Sequence, residues 1–142
     1  MSEEERKKMI SFKPSELRLG ISPERKTQLI GSRCEHCGIV YLGKSRFCVK
    51  CSSPEVYETV LTNRGKLVSY TIIHVPPSPL WKGPVPYAIG RVELKEGVEV
   101  TSQIVGCDFQ NLKVGIEMDL VVEKAEQDQE GNDVMVYRWR LI

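Results

Sequence analysis

The feature that most constrains the fold of this chain is a set of four cysteines in two matched pairs. Cys34 and Cys37 form one Cys-x-x-Cys pair. Cys48 and Cys51 form the second, after ten intervening residues. Zn²⁺ prefers four soft ligands at the corners of a tetrahedron, and two such pairs can close it. The spacing therefore predicts a structural zinc site with these four ligands, in which binding the metal is part of folding.

The other residues near this motif have simpler interpretations. A redox-active Cys-x-x-Cys needs only one pair and a βαβ context, which the sequence lacks. Gly38 follows the first pair, where the backbone turns back toward the sulfurs and glycine tolerates that geometry. His36 is interpreted as a solvent-facing residue of the knuckle, since four cysteines already complete the site. The fifth cysteine, Cys107, is interpreted as a small buried apolar residue rather than a nucleophile.

The 142-residue length allows one ordinary domain or two very small ones. A piece of some 40 residues needs a metal or disulfides to be stable, which fits the cysteine segment. We predict an N-terminal arm at residues 1–24, a zinc ribbon at 25–62 and a barrel domain at 63–142. Within the arm, Glu3–Ile10 is predicted as a short helix, and Ser22–Glu24 as the cap of a further helical turn.

The hydrophobic pattern outside the arm is that of β-strands. Short strands are predicted in the ribbon at Gln28–Arg33, Ile39–Leu42 and Glu55–Leu61. After Gly65 the apolar residues alternate with a period of two, which predicts five further strands: Leu67–Val75, Tyr87–Leu94, Val98–Val105, Met118–Lys124 and Val134–Leu141. Five strands without a long helix favour a closed or nearly closed small barrel, because closure leaves few open edges.

Charge is distributed unevenly along the chain. Residues 25–66 carry eight basic and three acidic side chains, a balance of +5, whereas residues 67–142 carry seven basic and eleven acidic ones, a balance of −4. A basic ribbon suggests an anionic ligand or partner there, although charge that serves only solubility is an equal alternative. No apolar run reaches eighteen residues and the first residues are acidic, so we expect no membrane span and a cytoplasmic location.

Several motifs together resemble a known family, the two-domain proteins with an N-terminal zinc ribbon and a C-terminal OB-fold that are termed DUF35. The resemblance covers residues 25–142. It rests on Cys34-x-x-Cys37-Gly38, Cys48-x-x-Cys51, Gly65–Thr71, Pro86-Tyr87-Ala88, Val92-Glu93-Leu94-x-x-Gly97 and Leu112–Met118. It implies a mainly β fold: a rubredoxin-like zinc ribbon followed by a five-stranded OB barrel.

The resemblance also implies a function. Members of this family are similar to non-catalytic partners of thiolases and related thiolase-fold enzymes that act on acyl-CoA esters. One of them is the small subunit of the benzoylsuccinyl-CoA thiolase of anaerobic toluene breakdown. The expected partners are therefore a thiolase-fold subunit and a coenzyme A ester. Thiolase chemistry needs a nucleophilic cysteine and a second acid/base cysteine, and four of the five cysteines here are assigned to zinc, so catalysis belongs to the partner.

Two groups of residues are predicted to make these contacts. Basic side chains in or next to the ribbon are candidates for the CoA phosphates: Lys44, Arg46, Lys50, Arg64 and Lys66. A proline-rich loop between His74 and Tyr87 presents Leu80 and Trp81, which are candidates for an aromatic anchor at the partner interface. For Trp81, packing against the end of the barrel is the alternative.

Two other functions stay open at this point. Zinc ribbons and OB-folds also bind single-stranded nucleic acid, although the acidic barrel segment argues against a groove that follows phosphates. A free-standing acyl-CoA-binding scaffold is the other alternative. Co-purification with a thiolase-sized partner would distinguish a subunit from both.

Overall fold

The ribbon sheet is built around one central strand. A computed structural model describes residues 9–19, 27–81 and 83–142. In this sheet the central strand β3 (Gln28–Cys34) pairs antiparallel along one edge with β5 (Val56–Leu61). Its other edge pairs with β2 (Leu17–Arg18) and β4 (Val40–Leu42). Leu17, Leu29, Ile30 and Leu61 form the small apolar core of this sheet.

The second sheet has the topology of an OB-fold. Its strands are β1 (Met9–Ser11), β6 (Arg64–Ile73), β7 (Tyr87–Leu94), β8 (Glu99–Val105), β9 (Glu117–Gln127) and β10 (Asp133–Leu141). They are ordered β1-β10-β8-β7-β6-β9, and β9 also pairs with β10, so the last five close into a ring. The β8–β10 pairing is parallel, whereas the β6–β7, β7–β8 and β6–β9 pairings are antiparallel. The predicted five-stranded barrel is confirmed.

Close packing fills the inside of this ring. Trp139 is fully buried, and its indole Nε1–H donates to the Val100 carbonyl at 3.1 Å. Gly90 leaves the space that its neighbours occupy, since a Cβ there would lie 2.6 Å from Ile104 Cδ1 and 2.8 Å from Leu67 Cδ1. A side chain at position 90 would therefore displace the core.

Contacts between residues divide the chain into two compact units. One comprises Met1–Leu61 with Val122–Tyr137, and the other Thr62–Val121 with Arg138–Ile142. The sequence-based limits at residues 24/25 and 62/63 stay a prediction. Within the described residues, no helix is long and apolar enough to cross a membrane.

The arm is not helical where the structure describes it. Met9–Ser11 forms β1, which pairs in parallel with β10, so the predicted helix is wrong at Met9 and Ile10. The rest of that prediction, Glu3–Lys8, and the predicted cap at Ser22–Glu24 lie outside the described residues. The helical pattern failed because the partner strand lies at the other end of the chain.

A buried carboxylate helps to fix the arm. Glu16 is 8% exposed and accepts a 3.0 Å hydrogen bond from the Tyr137 hydroxyl. Lys13 Nζ lies 2.5 Å from the other oxygen of Glu16, and the Phe12 ring packs edge-on against Tyr137. Burial, together with the charge of Glu16, raises the pKa of Tyr137, so the phenol keeps its proton and remains a donor.

The other predicted strands are all present, with ends that differ by a few residues. The sequence Lys95-Glu96-Gly97 predicts a hairpin turn between two strands, with glycine at its end. This turn is confirmed: Gly97 has φ +82°, and its N–H donates to the Leu94 carbonyl. Gly131 likewise lies in a turn with φ +83°. Alternation and turn glycines predicted these elements because both are local properties.

A candidate metal centre in the ribbon

The four predicted cysteine ligands come together at one point. The Sγ atoms of Cys34 and Cys51 lie 3.6 Å apart, as do those of Cys37 and Cys48, and all four sulfurs lie within 4.8 Å of one another. A regular tetrahedron with metal–sulfur bonds of about 2.3 Å has edges of about 3.8 Å. The four thiols therefore fit a tetrahedral metal ion.

Backbone N–H groups complete both knuckles. The Cys37 N–H points at Cys34 Sγ at 3.4 Å. In the second knuckle the N–H groups of Cys51 and Lys50 point at Cys48 Sγ at 3.5 and 3.4 Å. These donors, that of Cys51 first, lower the pKa of Cys48 to about 6, whereas desolvation and the neighbouring thiols raise the pKa of Cys51 to about 12. A lowered pKa favours the thiolate, which is the form that binds metal.

The two knuckles are local copies of each other. The Gly38 N–H donates to the Cys34 carbonyl and the Ser52 N–H to the Cys48 carbonyl, each at 2.9 Å. Both residues adopt the left-handed backbone conformation, with φ +79° at Gly38 and +64° at Ser52. The role of Gly38 was predicted, but the strained Ser52 was not. Its position one residue after the second pair was the signal that could have identified it.

His36 and Cys107 are not among the four clustered metal-ligand candidates. His36 is exposed in the first knuckle, and the four-sulfur group forms without it, as predicted. Cys107 is half-buried rather than buried. Desolvation, together with the charge of Asp108, raises the pKa of Cys107, which disfavours its thiolate and hence a nucleophilic role.

The five basic candidates for CoA binding lie in two different units. Lys44, Arg46 and Lys50 are exposed in the β4–β5 connection. Lys44 Nζ lies 3.6 Å from Glu58, which also pairs with Arg18 at 2.6 Å. Arg46 and Lys50 take part in no ion pair within the described parts of the chain. These two are therefore the better candidates of the three.

Arg64 and Lys66, both on β6, lie opposite acidic residues of the neighbouring strands. The strand register places Arg64 opposite Asp119 on β9, and Lys66 between Glu117 on β9 and Glu93 on β7. Opposite charges across neighbouring strands attract each other. Neither basic side chain forms an ion pair in the described residues, so the acidic neighbours lower the local positive potential without pairing with it.

The candidate interface residues differ in exposure. Leu80 is 85% exposed. Trp81 is half-buried: its ring lies 5.2 Å from that of Tyr87, and its Nε1–H donates to the Pro84 carbonyl at 3.3 Å. Gly83 lies under this ring, since a Cβ there would come within 2.5 Å of it. The partner contact of both residues stays a prediction.

Comparisons with known proteins agree with this geometry. The family described as "ChsH2, C-terminal OB-fold domain" matches residues 58–123. A DUF35 domain-containing scaffold protein of Methanocaldococcus jannaschii is 35% identical over 114 residues, which are 79% of this chain and 79% of that relative.

The chain belongs to the DUF35 family.

Two further similarities extend over most of this DUF35 chain. Benzoylsuccinyl-CoA thiolase subunit BbsA of Thauera aromatica is 26% identical over 138 residues, covering 97% of this chain and 93% of that subunit. Among solved structures, a chain of the Ltp2-ChsH2(DUF35) aldolase matches with a TM-score of 0.62 and 25% identity, over 80% of this chain and 84% of its own. The arrangement of the protein as ribbon plus OB-fold is thus shared with known relatives.

Sequence reasoning missed the apolar residues of the metal-centre loop. Phe47 and Val49 are 59% and 68% exposed on either side of Cys48. Their position on both sides of a metal-ligand cysteine, between Arg46 and Lys50, was the signal in the sequence.

Removing one sulfur ligand should release the metal. We expect the DUF35 chain to bind one metal ion, and Cys51→Ser to lose it together with amide-exchange protection in β3–β5, because three thiolates leave the site open. Elemental analysis and hydrogen exchange measure both. Cys107→Ser is the control and should keep the metal. Full metal content in Cys51→Ser, or a disulfide among the four cysteines, would contradict this site.

Exchanging the two left-handed positions should have opposite effects on stability. Ser52→Gly should raise the free energy of unfolding of the metal-bound protein by about 0.5–1 kcal/mol, because glycine removes the side-chain strain. Gly38→Ser should lower it by about as much; a Cβ meets nothing within 4 Å there, so only backbone strain contributes. The double variant, Gly38→Ser with Ser52→Gly, should have nearly the wild-type free energy of unfolding, as measured by urea denaturation. If both single variants changed the free energy of unfolding in the same direction, the two positions would not be equivalent.

Proposed function

We propose that this chain is a non-catalytic accessory subunit of a thiolase-type acyl-CoA acyltransferase complex. It binds the catalytic subunit, helps to hold the CoA ester, and contains structural zinc. The observation that carries the proposal is the match to BbsA, which extends over nearly the whole of both chains. A thiolase subunit of the same size and layout makes the same role the simplest one here.

Zinc is the metal that suits the cysteine site best. Four thiolates are soft ligands, and the tetrahedral spacing of their sulfurs matches the usual closed zinc geometry. A closed site has no open position for water or substrate. The metal's role is therefore to hold the ribbon fold.

Catalysis is assigned to the partner. A nucleophilic cysteine must be activated, and the four ribbon cysteines are directed at one another. The remaining one, Cys107, has a raised pKa. A CoA ester would then be shared between the two subunits, with this chain supplying positive charge at Arg46 and Lys50 for its phosphates.

The similarities support two classes of reaction for the catalytic subunit. The BbsA similarity supports a thiolase of aromatic-compound degradation, whereas the similarity to a chain of an aldolase supports a related carbon–carbon bond-cleaving enzyme. We favour the thiolase because its small subunit matches more of this chain. Cysteines that act as metal ligands rather than disulfides suit a cytoplasmic complex.

Single-stranded nucleic acid is the less favoured ligand. A shallow groove of about 310 Å³ on β6, β7 and β8 is lined by hydroxyl side chains and Arg91. Arg91 Nε lies 3.1 Å from Glu99, so the groove's cation is already paired. A groove that follows phosphates would need several unpaired cations.

A tagged copy of this chain should co-purify with a thiolase-type catalytic subunit, identified by mass spectrometry. Trp81→Ala should weaken the association by about 2 kcal/mol or more, as interface aromatics do. It should cost the isolated chain only about 1 kcal/mol, through the lost Tyr87 ring contact. Leu80→Ala, at a highly exposed position, should affect association alone. Wild-type chain that binds CoA esters but no catalytic subunit would favour the scaffold alternative.

Reversing two charges tests the CoA contact. Arg46→Glu with Lys50→Glu should raise the KM of the complex for the CoA ester, and more so at low salt, because exposed charges are screened beyond about 10 Å at 0.1 M. Arg64→Glu with Lys66→Glu is the matched control and should change KM less, since acidic neighbours surround those positions. Unchanged steady-state kinetics in the first variant would exclude this role for Arg46 and Lys50.

A further inference from the structure

The loop of the second knuckle ends in an exposed apolar tip, defined here as Arg46, Phe47, Val49 and Lys50. Phe47 and Val49 are 59% and 68% exposed, whereas Cys48 between them is 3% exposed. Successive Cα atoms are 3.8 Å apart, so the Cα atoms of Phe47 and Val49 lie within about 8 Å of each other. The two exposed side chains therefore lie close together at the end of the same loop.

The backbone of the tip is held on both sides. The Phe47 carbonyl accepts hydrogen bonds from the Ser45 hydroxyl at 2.8 Å and the Tyr41 hydroxyl at 3.4 Å, and these two hydroxyls also bond to each other. The Cys48 N–H donates to the Ser53 carbonyl at 2.9 Å. An aromatic side chain on a fixed backbone loses less entropy when a partner covers it.

The charge of the tip indicates what it binds. Arg46 and Lys50 are exposed and form no ion pair within the described ranges, whereas nearby Lys44 pairs with Glu58. An apolar centre with cations at its rim complements an apolar recess with negative charge at its rim, such as the phosphates of a bound CoA ester. Aromatic residues and arginine, both present in the tip, are also enriched in the cores of protein interfaces.

We propose that the tip is a docking point for the catalytic subunit, with Phe47 and Val49 in an apolar recess of that subunit beside its bound, negatively charged CoA ester. Arg46 and Lys50 are then held beside the CoA ester at the same contact. This inference rests on the proposed function and identifies a surface for it. A protein suits the tip better than nucleic acid, because Val49 has no face for stacking and two cations cannot follow a phosphate chain.

The test separates the apolar contact from the charges. Phe47→Ser with Val49→Ser is compared with Tyr57→Ser with Val60→Ser, a control pair on β5 with exposures of 59% and 50%. The Kd for the purified catalytic subunit is measured by calorimetry at low and high salt. The tip variant should bind at least about 30-fold more weakly at both salts. The control should bind like wild type, and metal content and melting temperature show that each variant is folded.

Three outcomes would overturn the inference. If wild type binds the catalytic subunit and both the tip variant and single Phe47→Ala bind equally well, the tip is not the contact, although the proposed function stands. If wild type binds no catalytic subunit, both fall. If the tip variant instead loses binding to labelled oligothymidylate, or loses self-association in sedimentation, the tip serves nucleic acid or a second copy.

Discussion

The crowding of four sulfur atoms is the constraint on which the ribbon depends. Sulfurs at 3.6 Å would repel one another as thiolates unless a cation lies among them. The apolar core of this sheet consists of little more than Leu17, Leu29, Ile30 and Leu61, and too little surface is buried there to hold four short strands. A metal ion bound among the four sulfurs would therefore contribute to the free energy of folding.

The OB sheet is stabilised by a different means. Its five-stranded ring leaves few open edges, and its interior is filled by Trp139 and the residues packed around Gly90. Buried side chains from several strands, among them Val92, Val100 and Met118, supply its apolar interior. The chain thus combines a ribbon built around four clustered cysteines with a barrel built around a packed apolar core.

This division suits an accessory subunit. A metal-nucleated loop can present exposed side chains on a rigid backbone, as the hydrogen bonds to the Phe47 carbonyl illustrate. Preorganisation of this kind lowers the entropy lost on association. The similarity to a scaffold protein and to a thiolase subunit fits a chain whose working parts are surfaces rather than a catalytic pocket.

The sequence by itself determined what depends on local spacing: the four metal ligands, the strands with period two, and the turn at Gly97. It could not determine what depends on distant neighbours. Met9–Ser11 is a strand because β10 lies beside it, and Lys66 has acidic neighbours only through strand register. Net charge along the chain therefore overstated the positive surface on β6. Only the tertiary structure decided that Phe47 and Val49 stay exposed while Trp81 packs on Tyr87, because burial is set by the packing of the whole fold rather than by residue type.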